Sequence, residues 1–531
     1  MRKFLKVCTI SVCILCCAAV QIWAIGGQEQ TGAKSSKDVV TLKWYMSLNP
    51  IAPDTAKVIE KLNEYTREKI GVQIDYQVIS NPDYAQKMPT IINSGQEFDM
   101  CFTASWTTNY LQFVDRGAFM DITDLLPKYA KETYNFIPKA MWDSVSVKKR
   151  IYGVPVYKEL GWQGGFLINA DMAKKYGIDL SKIKTLADYE AVLKTVKEKS
   201  TAEGKKVIGL VGMDQGFVSA YPYESVSFSS DMPGAYAVPQ FAAYKDTGSK
   251  VFNQYASKEY KAYCEMVHRW YQAGYLAPDP VQYDTDIAQK DNDFQTGKVF
   301  SFFISYAPGY KESLSKSVGF TVEFIPLMAP LFETQNAMGG ILALSYNSKH
   351  PDKVLEFINL LNTDRYVGTL IRHGIEGMHH SAVGKDNVDK TMGGKLAADK
   401  NGYDYTFGWQ FGSPFNQKWD ISYPSNIRAL FDAYNKSSVA APHVGFSFNP
   451  EKVSGELAGL KNVVEKYRKA LESGMSDPTT ELPKFLKELE ANGLQKVLTE
   501  SQKQINEFVK KRKRYTLHST VNYGVLHKLH K

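Results

Sequence analysis

Cysteine is almost absent from the body of this sequence. Four of the six cysteines lie within the first 17 residues, which leaves only Cys101 and Cys264. Two residues cannot supply the disulfide framework that staples many small secreted proteins. We expect two buried thiols, and a single bridge between them is the alternative.

The sequence also lacks the motifs of nucleotide binding and of common hydrolases. It contains no G-x-x-x-x-G-K-S/T, and no G-x-G-x-x-G follows a predicted strand. No H-E-x-x-H and no G-x-S-x-G occurs either. Residues 283–294 carry four aspartates but lack the glycine and the closing glutamate of a calcium loop, so a solvated helix start is expected there. We therefore predict no catalytic residues, no metal and no cofactor.

Excess positive charge is missing from the body of the chain, although the formal net charge is +8. Residues 1–24 carry three basic residues and no acid, and residues 510–531 carry seven basic residues and no acid. The body between these ends is close to neutral and lacks the basic footprint of a nucleic-acid-binding protein. We interpret residues 510–531 as a basic, solvated tail, with binding to an anionic surface as the alternative.

The first 24 residues have the pattern of a secretory signal. Basic residues precede an apolar run over 7–20 that is too short to span a membrane comfortably, and Ala24 marks a cleavage site. We expect an exported protein, periplasmic or on the cell surface, with a flexible leader over 25–37. The alternative is lipidation of Cys16 or Cys17, which would anchor the protein to the membrane.

Strand and helix patterns follow one another over residues 39–103. Residues 39–46, 72–79 and 98–103 have the alternating or short apolar runs of strands, and the segments between them carry apolar residues at helical spacing. This β-α-β-α-β order predicts a parallel sheet with crossover helices, so the expected fold class is α/β.

The end of the chain changes to a purely helical pattern. Apolar residues recur at helical spacing over 453–471 and 482–489, before Gly493. We predict two or three helices there. A chain of 531 residues is also too long for one ordinary core, so we expect two or three domains.

Several segments, taken in order, resemble one known family. They read "IINSGQEFDMCF" (91–102), "IYGVPVYKE" (151–159), "FLINADMAKKYGIDL" (166–180) and "HVGFSFNPEKVSGEL" (443–457). From about residue 39 to about residue 509 the chain is similar to the extracellular solute-binding proteins of ABC importers, in their carbohydrate-type, LipO-like group. The resemblance implies a two-lobed, periplasmic-binding-protein-like (type II) fold, each lobe a mostly parallel sheet flanked by helices, plus a C-terminal helical extension.

The resemblance also implies where the domains divide. Lobe 1 would comprise 38–156 and 341–374, lobe 2 would comprise 157–340 and 375–444, and the helical subdomain would cover 445–509. The crossing segments would form a hinge, and ligand would lie in the cleft between the lobes.

One histidine-rich stretch, "RHGIEGMHH" at 372–380, has the residue types of a metal site. Its two glycines disfavour a continuous helix, and in a helix His373 and His379 would lie about 120° apart. The resemblance places this stretch at a later lobe crossing, so we interpret it as structural. Ligand contact by Glu376 or His379 is a second hypothesis, and a metal site is a third.

Aromatic residues near predicted strand ends and crossings are the candidate ligand contacts. Aromatic rings suit the C–H face of a sugar, and carboxylates and amides suit its hydroxyl edge. Trp106, Trp162 and Tyr306 are the first choice, because each follows a strand end and has glycine, serine or alanine neighbours. The further candidates, each of which can instead be a core or surface residue, are Trp44, Tyr45, Tyr221, Tyr223 and Trp409, with Glu159, Gln163, Glu376 and His379 as polar contacts.

The sequence thus predicts a non-catalytic protein that captures a carbohydrate, preferably an oligosaccharide, and delivers it to an ABC permease. We expect a monomer with no nucleic-acid partner. One alternative is a secreted carbohydrate-active enzyme, which would need two facing carboxylates. The other is a peptide receptor of the same architecture.

Overall fold

Strands and helices alternate through most of the chain. The computed structural model describes residues 39–48, 51–213, 216–217, 223–225, 235–237, 249–394, 401–403, 408–446 and 448–526. The strands are β1 (Val40–Leu48), β2 (Val72–Ser80), β3 (Met100–Thr103), β4 (Gly153–Pro155), β5 (Gly164–Asn169), β6 (Tyr223–Ser225), β7 (Ala235–Ala237), β8 (Ser301–Ser305), β9 (Val322–Pro326), β10 (Leu331–Phe332), β11 (Ile341–Leu344), β12 (Ser381–Val383), β13 (Asn387–Asp389), β14 (Trp419–Asp420) and β15 (Val439–Ala440).

Helices flank these strands and dominate the end of the chain. The α-helices are α1 (Thr55–Ile70), α2 (Asn81–Asn93), α3 (Tyr110–Asp115), α4 (Leu126–Tyr129), α5 (Lys131–Phe136), α6 (Lys139–Val145), α7 (Ala170–Lys175), α8 (Tyr189–Ala202), α9 (Lys258–Gln272), α10 (Pro280–Thr285), α11 (Ile287–Gln295), α12 (Tyr310–Val318), α13 (Thr334–Ala337), α14 (Pro351–Thr363), α15 (Arg365–His373), α16 (Ile427–Ser437), α17 (Ser454–Glu472), α18 (Pro478–Ala491) and α19 (Leu494–Leu526). Short 3-10 helices lie at Leu180–Lys182, Gln254–Ala256, Gly408–Phe411, Pro414–Asn416 and Glu451–Val453.

The first sheet has the strand order β2-β1-β3-β11-β4. β1, β2 and β3 are parallel, as the β-α-β-α-β pattern predicts. Helix α1 crosses between β1 and β2 and ends at Gly71, whose N–H donates to the Arg67 carbonyl at 3.1 Å from a left-handed conformation. β11 runs antiparallel to β3 and β4, since the chain re-enters this sheet through it from the second one.

The second sheet has the order β8-β5-β9, and β5 is antiparallel to both neighbours. Residues 208–211 extend it in parallel beside β8 through bridges from Ile208 to Val299 and from Val211 to Phe302. The expectation of mostly parallel strands therefore fits the first sheet better than this one.

Two large hydrophobic cores accompany the two sheets. The members of the first core come from 42–154 and 332–411. The members of the second come from 166–303 and 446–505. The chain therefore passes between the cores more than once, as expected of a two-lobed α/β fold. The residue bounds predicted for the lobes stay a prediction.

The C-terminal helices belong to the second core. Leu460 and Leu471 of α17 and Phe485 and Leu489 of α18 are wholly buried, and the Phe485 ring lies 4.9 Å from that of Tyr255. The helical pattern read from the sequence is confirmed here. Helix α19 continues to Leu526, into the stretch interpreted above as a solvated tail.

The two body cysteines are free and buried, one in each core. Burial raises the pKa of both thiols, which makes them unreactive. The prediction of two buried thiols is therefore confirmed. Among the described residues, no helix combines the length and the apolarity that a bilayer crossing requires.

Candidate functional site

The loop after β3 displays a tryptophan at the carboxyl end of the first sheet, where ligands of open α/β sheets bind. The Ala104 N–H donates to the Thr107 carbonyl at 3.0 Å, and the Thr103 hydroxyl donates to the Thr108 carbonyl. Thr108 has a φ of 42°, a left-handed conformation that is uncommon for a threonine. These bonds make a tight turn with Trp106 near its apex.

Trp106 is an exposed aromatic residue. Its relative exposure is 54%, and its indole N–H donates to the Gly339 carbonyl at 2.8 Å. The ring also lies 5.9 Å from that of Phe102. Because the only donor of the indole is bonded within the protein, the ring needs no polar partner from a ligand, and an aromatic ring suits the C–H face of a sugar.

Trp162 lies on the segment that links β4 to β5. It exchanges two backbone hydrogen bonds with Leu331, of 2.9 and 2.8 Å, and its indole N–H donates to Glu333 Oε2 at 3.3 Å. The preceding Gly161 allows this approach, because a Cβ there would lie 3.0 Å from the Leu331 backbone. The ring is half-buried.

Both indoles bond to opposite ends of one connecting segment, residues 333–339. At its start, the buried Glu333 carboxylate accepts from Trp162 and from Gln335 Nε2, the latter at 3.0 Å, and caps helix α13. At its end, the Gly339 carbonyl accepts from Trp106. This segment runs from β10 into β11 of the first sheet, so each tryptophan is bonded to one end of a connection that leads into that sheet.

Tyr306 directly follows β8 and bonds to the residue after Trp162. Its N–H donates to the Gln163 carbonyl at 2.9 Å, and its ring stacks on Phe324 with centroids 4.1 Å apart and planes 8° apart. One face of this half-buried ring is therefore covered. Burial, followed by the charge of Glu312, raises the pKa of its hydroxyl. The side-chain amide of Gln163 donates to the Met328 carbonyl at 2.9 Å, so it links the residue after Trp162 to the loop between β9 and β10.

Helix α16 holds the crossing in place through two residues that sequence reasoning missed. The Tyr434 hydroxyl lies 3.1 Å from the Gly161 carbonyl and 3.3 Å from the Tyr306 carbonyl. The Asn435 side chain accepts from the Leu160 N–H at 2.8 Å and donates to the Lys158 carbonyl at 3.2 Å. Neither residue stands in a motif, so no sequence signal marked them or Glu333.

Trp44 and Tyr45 are core residues, which corrects the expectation that they lie at a strand end. Strand β1 continues to Leu48, so both side chains lie within the sheet. Trp44 has no exposed surface, and Tyr45 is 6% exposed. The Trp44 ring is edge-on to that of Tyr76, 4.9 Å away. Neither ring is accessible to a solute in this conformation, so we leave both out of the proposed site.

The remaining aromatic candidates lie outside what the structure describes. Tyr221 is not among the described residues, and the side chains of Tyr223 and Trp409 are not described either. Their roles stay predictions. Glu159 is described: it pairs with Lys158, and 19% of its side chain is exposed.

His379 and His380 of the histidine-rich turn bond within the protein, whereas Arg372 Nε and His373 Nδ1 are buried without a hydrogen-bond partner among the described residues. His379 is wholly buried; its Nδ1 accepts from the Ile375 N–H at 2.9 Å, so the proton lies on Nε2, 3.2 Å from Asp54 Oδ2. His380 Nδ1 lies 3.0 Å from the His373 carbonyl. These bonds favour the structural interpretation. His379 is thus inaccessible to ligand in this conformation.

Burial controls the charges in this turn. It lowers the pKa of the Arg372 guanidinium to about 9 and holds the pKa of His373 well below its usual range. The Arg372 side chain donates to the Gly412 carbonyl at 2.6 Å. The Glu376 side chain is 62% exposed and lies 3.9 Å from Lys418, so it stays accessible to solvent. No group of three or more metal-ligating side chains occurs within the described ranges.

Two family profiles match different parts of the chain. The family described as bacterial extracellular solute-binding protein matches residues 47–367. A domain of unknown function (DUF3502) matches residues 442–510, the region of the C-terminal helices.

Individual proteins match nearly the whole chain. A carbohydrate ABC transporter substrate-binding protein from Streptococcus pneumoniae is 28% identical over 488 residues, which are 91% of this chain and 93% of that protein. The crystal structure of the N-glycan transport solute binding protein NgtS from the same species has a TM-score of 0.77 at 25% identity, covering 89% of this chain and 100% of that one. NgtS in complex with Man5GlcNAc gives a TM-score of 0.70 at 26% identity, covering 89% and 99%.

Proposed function

Since this chain belongs to the bacterial extracellular solute-binding protein family, we propose that it binds an oligosaccharide and delivers it to an ABC transporter. One similar protein is described as a carbohydrate ABC transporter substrate-binding protein. Another, NgtS, was crystallised with the glycans Man1GlcNAc and Man5GlcNAc. These names support a sugar of several units as the solute.

The exposed ring of Trp106 is the observation on which this proposal mainly rests. Trp106 is 54% exposed and its indole N–H is already bonded to the Gly339 carbonyl, so its ring can pack against the C–H face of a sugar. A sugar face would cover the ring without breaking that bond. Trp162, at the other end of segment 333–339, would offer a second ring to a later sugar unit.

Contact with both tryptophans would favour closure of the lobes. Trp106 is carried by the first sheet, whereas Trp162 leads into the second. A sugar bound to both would bind the closed state more tightly than the open one, and only such a difference can shift the equilibrium. We therefore propose a hinge motion of the segments that connect the lobes.

Titration calorimetry with a glycan panel tests the function. The chain from residue 25 would be titrated with Man1GlcNAc, Man5GlcNAc, maltopentaose and mannose, and its radius of gyration measured by small-angle scattering with and without each sugar. We expect binding to at least one oligosaccharide, weaker binding of mannose, and a smaller radius when sugar is bound. Binding without compaction would contradict the hinge alone, whereas a panel with no binding would contradict the sugar proposal.

The proposal includes no chemical step. The similar proteins named above are binding proteins, and we propose that this chain leaves its solute intact. Mass spectrometry after a day of incubation should return unchanged glycan, and a cleaved product would favour the carbohydrate-active enzyme instead.

We also propose that the protein is an exported monomer that meets its permease outside the cytoplasm, with lipidation of Cys16 or Cys17 as the alternative to cleavage after Ala24.

A further inference from the structure

The last helix begins in the second core and ends in a strongly basic stretch. Leu494, Val497 and Ile505 of α19 are buried, and the Phe508 ring packs 5.6 Å from that of Phe446. Gln504 adds a bond from its amide to the Asn449 carbonyl at 2.9 Å. The first four turns of the helix are therefore fixed to the body of the protein.

Beyond Phe508 the helix carries charge of one sign only. Lys510 and Lys511 are exposed, and the backbone stays helical to Leu526, which extends the helix by about 27 Å at 1.5 Å per residue. Residues 510–531, the basic segment, hold seven basic residues and no acid, and five of the seven are consecutive. The DUF3502 match ends at residue 510, so all but the first residue of this segment lies outside the match.

We propose that the basic segment binds an anionic phospholipid surface. Consecutive like charges repel one another, and an anionic bilayer relieves that repulsion while it attracts each lysine and arginine. Tyr515, Leu517 and Tyr523 follow the charges, and such side chains favour the interface between lipid and water. An exported protein works next to a membrane, and the anchored start of α19 fixes where the segment projects. This inference does not depend on which solute is bound.

Vesicle flotation with two matched variants tests the proposal. The chain from residue 25 would be mixed with vesicles of 30% phosphatidylglycerol in phosphatidylcholine, or of phosphatidylcholine alone. One variant changes the five consecutive basic residues, Lys510, Lys511, Arg512, Lys513 and Arg514, to Gln. The control changes five exposed lysines elsewhere to Gln, namely Lys128, Lys131, Lys174, Lys206 and Lys487. Both variants lose the same net charge, and circular dichroism confirms that each is folded.

We expect the unaltered chain to float with the anionic vesicles only, and less so in 0.5 M salt. The basic-segment variant should bind roughly tenfold or more weakly, and the control variant within about twofold of the unaltered chain. Equal loss in both variants would show a general charge effect and overturn the proposal. An unaltered chain that does not float with anionic vesicles would also overturn the proposal. The same holds if that chain fails to bind the vesicles but is retained on duplex DNA.

Discussion

The histidine-rich turn at 372–380 and the segments that carry Trp106 and Trp162 both bond polar atoms within the protein, but they differ in exposure: His379 is wholly buried and Trp106 is 54% exposed. In the turn, the ring nitrogens of His379 bond the Ile375 N–H and Asp54, and the turn is packed against the first core. In the segments that carry the tryptophans, each indole N–H bonds to segment 333–339, while Trp106 stays exposed.

Exposure distinguishes residues with a structural role from residues that can contact a ligand better than residue type does. A buried cluster whose donors and acceptors are bonded within the protein cannot hydrogen-bond a solute, even if its residues are of the types found in metal or catalytic sites. An aromatic ring whose single donor is satisfied internally keeps its apolar face available. The predictions below alter one region at a time and compare folding stability with glycan affinity.

Acidification should destabilise the turn by the largest amount. Burial lowers the pKa of both His373 and His380, so as the pH falls the unfolded chain, whose imidazoles protonate near pH 6.5, takes up protons before the folded protein does. Stability is therefore retained above about pH 7 and falls towards pH 5, by up to about 2 kcal/mol for each imidazole. Urea unfolding at several pH values measures this slope.

The matched control replaces both imidazoles, as His373→Gln with His380→Gln. Carboxylates with lowered pKa values lose their contribution to folding stability only nearer pH 4. The free energy of unfolding of the variant should therefore depend less on pH between pH 7 and 5. Identical slopes in the two proteins would show that these histidines do not couple folding to pH.

Gly374→Ala should cost about 3 kcal/mol of unfolding free energy. Gly374 has φ 77° and ψ −158°, a region almost restricted to glycine, and a Cβ there would lie 2.5 Å from His379 Nδ1. Gly377→Ala is the matched control: its φ is 84°, but an added Cβ would meet nothing within 4 Å, so about 1 kcal/mol is expected. Equal losses in the two variants would contradict a packed His379, and neither should change glycan affinity at 25 °C.

Trp106→Ala should lower glycan affinity and leave folding stability nearly unchanged, which is the reverse of the effect expected for the glycine variants. We expect glycan affinity to fall about tenfold, or about 1.4 kcal/mol, while the free energy of unfolding changes by less than about 1 kcal/mol. The control is Tyr346→Ala, since Tyr346 is 67% exposed but follows the far end of β11 from Gly339. Calorimetry that finds equal effects in the two variants would remove Trp106 from the site.

Glu333→Gln should have the smallest effect, about threefold on affinity. The amide keeps the size of the carboxylate but replaces one of its acceptors with a donor, which weakens the hold on Trp162 and on the start of α13. Trp162→Phe removes the same hydrogen bond from the other side. In a double-mutant cycle the two changes should be less than additive, and full additivity would show that Glu333 does not position Trp162.

Local pattern was sufficient to predict much of the fold. Alternation over 72–79 predicted a strand that runs from Val72 to Ser80, and helical spacing over 453–471 predicted what is now α17. The order of the segments carried the family resemblance. Such features follow from periodicity, which the sequence states directly.

The candidate site was harder to predict because it depends on where elements end and on which segments meet. Strand β1 continues two residues beyond the predicted end at Met46, and that difference moves Trp44 from a strand end into the core. The Glu333 carboxylate acts through a bond to a residue 171 positions earlier, which no local pattern encodes. Trp106 was found only because its loop directly follows a strand.

Fluorine NMR of the chain labelled with 5-fluorotryptophan tests most directly whether the strand-end tryptophans bind the solute. The sequence has 8 tryptophans, and single Trp→Phe variants assign the resonances of Trp44, Trp106 and Trp162. On titration with the tightest-binding glycan, we predict that the Trp106 and Trp162 resonances shift in proportion to occupancy while that of the buried Trp44 does not. Saturable binding that leaves both strand-end resonances in place would contradict the account.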